Sequence, residues 1–223
     1  MYNVCKEYQV KTYLSTIAIA GATLALTFAP IQNTRAQKMD TKTFEPSGDW
    51  AQATFAGGCL WCMEKHFDET EGVISTTSGY TGGDSKAPSY EEVCTGFTGH
   101  TESILVEYDP QKVTYEQLLD VFWRNVDPTT PNRQFCDVGT QYRPEVFYHD
   151  EAQKLAAEAA VKKLEESGRF KTIAVAVTPA AEFWVAEEYH QNFYKKQPDH
   201  YNRYREGCGR DQRLEQLWGS EDS

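Results

Sequence analysis

The residues of this chain best suited to chemistry lie in the run Gly57-Gly58-Cys59-Leu60-Trp61-Cys62-Met63-Glu64. It follows a β-like stretch, Trp50 to Phe55, and leads into a helical pattern, so Cys59 falls at a strand-to-helix turn. Glycines there let the backbone approach a ligand closely. Unpaired N–H groups and the positive end of the helix dipole favour a thiolate over a thiol, so Cys59 reads as a reactive cysteine. Cys62 completes the Cys-X-X-Cys spacing of thiol oxidoreductases, which keeps open an exported thioredoxin-like disulfide exchanger working through Cys59 and Cys62. Glu64, five residues past Cys59 and ~140° around a helix from it, is a secondary candidate.

Glu102 is the second group with a chemical reading. On a strand from Thr101 to Tyr108, period-2 geometry puts it on the face of Ile104, Val106 and Tyr108, opposite Ser103, Leu105 and Glu107. If that is the core face, burial raises the carboxyl pKa and leaves a proton donor near neutral pH. If it is the solvent face, Glu102 is an ordinary strand-end carboxylate.

The elements that would position these groups follow from pattern and punctuation. A helix over Trp61 to Glu69 precedes a strand over Val73 to Tyr80, closed by Thr81-Gly82-Gly83-Asp84, and a long loop to Gly99. After the Thr101–Tyr108 strand, Thr114-Tyr115-Glu116-Gln117 is a capping box opening a helix through Arg124. Pro128, Pro131, Gly139 and Pro144 mark a loop too long to be a mere connector. A short strand over Glu145 to Tyr148, a helix capped by Asp150 and ended at Gly168, and a strand over Ile173 to Val177 follow. This order predicts an α+β fold: a two-layer sandwich of a mixed sheet with helices on one face, a ferredoxin-like core, and a long irregular C-terminal tail with a last helix at Gln212 to Trp218.

Residues 1–36 have the form of an export signal. Lys6 and Lys11 precede an apolar run from Leu14 to Phe28, shorter than the ~20 residues of a spanning helix, and Thr34-Arg35-Ala36 offers a small-x-small cleavage site. The expected product is periplasmic or secreted and not inserted in the membrane. Residues 37–49 read as a flexible lead-in, 50–196 as the catalytic domain and 197–223 as a tail. Removing 1–36 deletes Lys6, Lys11, Arg35 and Glu7 and takes the formal charge from −11 to −13 over 187 residues. Such acidity leaves no electrostatic footprint for nucleic acid or an anionic membrane surface.

Cys5 leaves with the signal, so Cys59, Cys62, Cys94, Cys136 and Cys208 remain. An odd set in an oxidising compartment suggests exchange chemistry and counts against a disulfide-stapled binding module. Cys94 and Cys136 read as small buried core thiols. One Cys-X-X-Cys with His66, His100, His149, His190 and His200 gives no second half-site at zinc-like spacing, so neither a metal nor another cofactor is expected.

Further runs give a more specific likeness: Gly79-Tyr80-Thr81-Gly82-Gly83, Thr98-Gly99-His100-Thr101-Glu102 and Asp137-Val138-Gly139-Thr140-Gln141-Tyr142-Arg143. Together with the Cys59 run they resemble the successive signatures of A-type peptide methionine sulfoxide reductases, over about Ala53 to Tyr194. The resemblance implies reduction of the S epimer of methionine sulfoxide, free or in proteins. Cys59 would be the nucleophile at sulfur and Glu102 the acid for the departing oxygen. Tyr90 and Tyr142 would hydrogen-bond that oxygen, and Asp137 matches a family aspartate nearby. Trp61 and Leu60 would line the S-methyl pocket, with Leu60 standing where the family usually has phenylalanine. Cys208, in Gly207-Cys208-Gly209, would condense with the Cys59 sulfenic acid to a disulfide that a thioredoxin-type donor reduces.

Overall fold

A computed structural model of the chain describes residues 42–219; the signal read at 1–36 lies outside them. Strand β1 (Ala51–Gly57) runs into helix α1 (Leu60–Asp68), and β2 (Val73–Thr81) returns to a short α2 (Tyr90–Cys94). Strand β3 (Thr101–Tyr108) leads to α3 (Tyr115–Arg124). The long loop holds a minimal hairpin, β4 (Arg133–Gln134) with β5 (Asp137–Val138), and a 3-10 turn over Thr140–Tyr142. Then come β6 (Pro144–Tyr148), α4 (Glu151–Glu166), β7 (Ala176–Pro179) and β8 (Trp184–Val185). Helices α5 (Phe193–Lys196), α6 (Pro198–Gly207) and α7 (Arg210–Trp218) end the described chain.

Six strands form one mixed sheet in the order β7-β6-β1-β3-β2-β8, in which only β6 and β7 pair in parallel. This is the expected α+β architecture. Phe55 of β1 stacks on Phe67 of α1 at 4.9 Å and on Phe122 of α3 at 5.4 Å, which fixes the helical face of the sheet. Two predicted caps form: Thr114 and Gln117 make a reciprocal capping box, and Asp150 accepts from the Gln153 amide. No helix among the described residues is long and apolar enough to cross a membrane.

Three expectations change. Residues 42–49, read as flexible, are docked: Thr43 bridges to Trp184, and Ser47 donates through N and Oγ to Glu107. Glu107 and Leu105 on the second sheet face are thereby covered, so all of β3 is buried and its alternation marks two protected faces. Tyr90 lies in a short helix where a continuous loop was expected, because Ser89 and Glu92 form a capping box whose signal was not read. Past Gln197 the polar tail is helical and held to the core, since Tyr201, Tyr204 and Leu217 bury their rings and methyls while Arg210 is enclosed.

Candidate active site

The β1–α1 turn is built around its glycines. Gly58 has φ +83°, and a Cβ there would meet the Gln134 Cβ at 2.4 Å; at Gly57 it would meet Met63 Sδ at 2.5 Å. This close approach seats Cys59 at the N-cap of α1, with its carbonyl taking the Cys62 and Met63 amides at 3.0 and 3.3 Å. Its side chain makes no cap hydrogen bond, so the sulfur is left to its neighbours.

Those neighbours are the residues the sequence singled out. Glu102 is only 2% exposed and lies on the helical face of β3, where its Oε2 accepts from the Leu60 amide at 3.0 Å. Burial, reinforced by the charge of Asp137, raises its pKa to about 8 against that hydrogen bond. Glu102 is therefore mostly a neutral acid at pH 7. Tyr90 and Tyr142 are buried, and burial followed by the Glu102 carboxylate holds both phenols well above their ordinary pKa, so they stay hydrogen-bond donors. Asp137, also buried, has its pKa raised to about 7 by burial against the bond it accepts from Tyr204 Oη.

The thiols differ from expectation. Burial first, then the hydrogen bond with Cys62 and the charges of Glu102 and Asp137, pushes the Cys59 thiol well up, so in this closed state Cys59 carries its proton. The expected helix-terminal thiolate is outweighed because the enclosure removes water from a site already rich in acids. Cys62 is instead pulled down to about 6 by its hydrogen bond with Cys59, against burial, with the Arg210 and Arg205 guanidiniums helping. Of the two sulfurs, Cys62 is therefore the one whose ionisation is favoured.

Cys208 is joined by a disulfide to Cys136, with Cα atoms 5.0 Å apart, and not to Cys59. This also corrects the reading of Cys136 as a packed thiol, and Cys94, read the same way, is disulfide-bonded too; the free cysteines among the described residues are Cys59 and Cys62. The loop before Asp137 and the joint between α6 and α7 meet there, a tertiary proximity that sequence separation conceals. Asp137 Oδ1 lies 3.7 Å from Cys136 Sγ.

Trp61 is buried in the first turn of α1. Its indole stacks on Phe193 at 3.6 Å, meets Tyr204 and His200 edge-on, and donates Nε1–H to His190 Nδ1 at 2.8 Å. Leu60 is buried beside it. Arg210 is enclosed, donating from Nη2 to the carbonyls of Gly57 at 3.1 Å and Asn125 at 2.7 Å, 3.1 Å from Met63 Sδ. Cys59 is 3% exposed, so its sulfur is closed off from solvent in this state. Two open cavities, of about 370 Å³ beside Trp50 and Tyr115 and 680 Å³ beneath the lead-in, are not lined by Cys59.

Sequence reasoning missed Tyr204, Arg210, Glu187, His190 and Cys136. A buried Arg in a polar tail carries no periodic signal, and the Glu-Tyr-His-Gln run lies outside the regular elements. Glu64, the secondary candidate, is engaged elsewhere: its Oε1 accepts from the Asn192 amide at 3.0 Å.

Residues 51–222 match the family model described as peptide methionine sulfoxide reductase. The peptide methionine sulfoxide reductase MsrA of Bacillus velezensis is 51% identical over 167 residues, 74% of this chain and 94% of that one. The Bacillus subtilis MsrA is 50% identical, covering 75% and 96%. Among solved structures, methionine sulfoxide reductase A of Corynebacterium diphtheriae matches with TM-score 0.61 and 36% identity over 66% of this chain and 74% of that one. Reduced Mxr1 of Saccharomyces cerevisiae matches with TM-score 0.63 and 32% identity over 70% and 90%. With a buried thiol, a carboxyl of raised pKa and two buried phenols gathered at the start of α1, and with these likenesses spanning most of its length, the chain belongs to the A-type peptide methionine sulfoxide reductases and is an enzyme of methionine sulfoxide reduction.

Proposed function

We propose that the enzyme reduces the S epimer of methionine sulfoxide, free or in proteins, through a sulfenic acid on Cys59. The observation that carries this reading is the buried Glu102, held beside Cys59 by the Leu60 amide, with burial raising its pKa. Cys59 sulfur attacks the sulfoxide sulfur as its own proton passes to Cys62, with which it is hydrogen-bonded. Glu102 delivers a proton to the oxygen, and Tyr90 and Tyr142 stabilise the charge that develops there. The oxygen moves to Cys59 as S–OH, and the two electrons it leaves behind reduce the substrate to the thioether. Trp61 and Leu60 hold the S-methyl group.

A second thiol condenses with the sulfenic acid, releasing water and forming a disulfide. Cys208 fills this role in the reading from sequence; the Cys59–Cys62 hydrogen bond favours Cys62 for the first condensation. In either route the oxidation ends on Cys136–Cys208, which is half-buried where Cys59 and Cys62 are buried, so a thioredoxin-type dithiol meets it first. Exchange moves the disulfide outward by thiolate attack at each step, and the donor's two electrons leave four protein thiols.

Turnover of separated sulfoxide epimers with dithiothreitol tests the reaction: reduction of the S epimer alone is expected, and turnover of neither would favour the disulfide exchanger. Export is a further proposal, resting on residues 1–36. A mature protein from the periplasm or medium starting at Gln37 is expected; cytoplasmic protein retaining its first residues would refute it.

A further inference from the structure

Two side chains outside the reacting group end on both walls of the substrate site. Glu187 and His190 lie between β8 and α5, in a turn pinned to β2 by Gln191, whose amide pairs with the Ser78 backbone at 2.9 Å in both directions. The Asn192 amide ties the same turn to Glu64 of α1. Glu187 Oε1 accepts from the Tyr90 backbone N–H at 2.8 Å, and its Oε2 accepts from Tyr80 Oη at 2.8 Å. Tyr90 opens α2, so its amide has no intrahelical partner and takes its position from Glu187.

His190 holds the other wall. Its Nδ1 accepts the indole N–H of Trp61, and its ring lies against Tyr90 with centroids 4.4 Å apart. An Nδ1 that accepts fixes the neutral tautomer with the proton on Nε2. Burial pushes the His190 pKa down to about 3, consistent with a ring that stays neutral. Nε2 has no hydrogen-bond partner and stands 3.9 Å from Glu187 Oε2, so the two groups face each other across the gap between the walls.

We propose that Glu187 and His190 are positioning residues: His190 sets the plane of the Trp61 indole against the substrate methyl group, and Glu187 sets Tyr90 for the substrate oxygen. This rests on the pocket roles given above to Trp61 and Tyr90. The turn thereby couples methyl recognition to oxygen stabilisation, since one short segment carries both contacts.

The test uses the full chain with dithiothreitol, comparing the sulfoxides of methionine and ethionine, which differ by one methylene. A methylene in a fitted apolar pocket discriminates by about 10–200-fold. His190→Phe keeps a ring but removes the acceptor, and should reduce the methyl-over-ethyl preference by at least about fivefold. His190→Asn, which offers an oxygen near the Nδ1 position, should restore it to within about twofold. Glu187→Met should lower kcat by about tenfold with KM changed less than about threefold. Glu187→Gln should recover the rate, because its oxygen can take the Tyr90 N–H and its NH₂ can face the Tyr80 oxygen. ¹⁵N NMR should show His190 neutral with Nε2 protonated at pH 5. Trp61→Phe separates the two layers of the reading. If it lowers the methyl preference and His190→Phe does not, the positioning role is overturned while the pocket stands; if it leaves the preference unchanged, both fall. Should His190→Phe fail to fold, equal kcat in the parent and both Glu187 variants, or a protonated His190 at pH 5, still overturns the inference.

Discussion

Replacing Glu102 by Gln separates its chemistry from its place in the fold. The amide fills the same space, and its oxygen can still accept from Leu60 N–H, so folding should persist. What is lost is the proton. General acid catalysis contributes about 10²–10⁴-fold, and kcat should fall by that factor. The pH dependence sharpens the test: with the Glu102 pKa raised from 4.5 to about 8, the parent's kcat/KM should decline above that pH, and the variant should lack this limb. Stability declines with pH as well, but over a lower window. Burial favours the protonated form, so between pH 4.5 and 8 the folded chain keeps a proton that the unfolded chain has released, and stability falls as pH rises through this window. At 1.36 kcal/mol per pKa unit the contribution is on the order of 5 kcal/mol. Asp137 and Glu64, raised by burial to about 7 each, keep part of that slope in the variant. Steady-state rates and melting temperatures across pH 5–9 read both effects. A variant within about threefold of the parent rate, or with an unchanged alkaline limb, would reduce Glu102 to a buried strand-end carboxyl.

Cys59→Ser should abolish sulfoxide reduction, because a hydroxyl is too poor a nucleophile; residual turnover near a tenth of the parent rate, on the order of 1.4 kcal/mol, would remove Cys59 from its role. Cys136→Ser and Cys208→Ser should each retain methionine formation with dithiothreitol and lose turnover supported by a thioredoxin-type protein, with mass spectrometry of the Cys136 variant after one dose of sulfoxide finding Cys59 in a disulfide. Undiminished protein-supported turnover in both would make the Cys136–Cys208 link a static staple. Arg210→Met should cost about 2–3 kcal/mol through its lost charge-assisted bonds and raise the pH at which Cys62 ionises, as read by urea unfolding and thiolate absorbance. An unshifted thiolate titration would remove Arg210 from the electrostatics of the pair.

The sequence made Cys59, Glu102 and the sheet face readable because each rests on local rules: a glycine turn, a period of two, a cap. Glu102 lies on the face of Ile104 and Val106 as the alternation required. Position along the chain could not show that the opposite face, with Leu105 and Glu107, is sheltered by residues 42–49, since that contact joins segments about sixty residues apart. Tyr90 and Tyr142 were found through family likeness alone; nothing in the spacing of 13 tyrosines marks two of them. Cys136 was misread because burial of a small residue and membership of a disulfide look alike until the partner is located. The Cys59 charge was misjudged for a different reason: the helix terminus was visible in the sequence, but the burial that dries the site was not.

Met63 gives the fold a property beyond catalysis. Of the chain's three methionines it alone lies among the described residues, and its sulfur is pressed between the bare backbone of Gly57 and the Arg210 guanidinium, with 1% of the residue exposed. Oxygen added to that sulfur would need space that neither neighbour leaves, so a peroxide meets this thioether only after the tail has come away. An enzyme that restores oxidised methionine thus carries its own core methionine where the same oxidant does not reach it. The contacts that hold the tail in place also protect the catalyst from the damage it repairs.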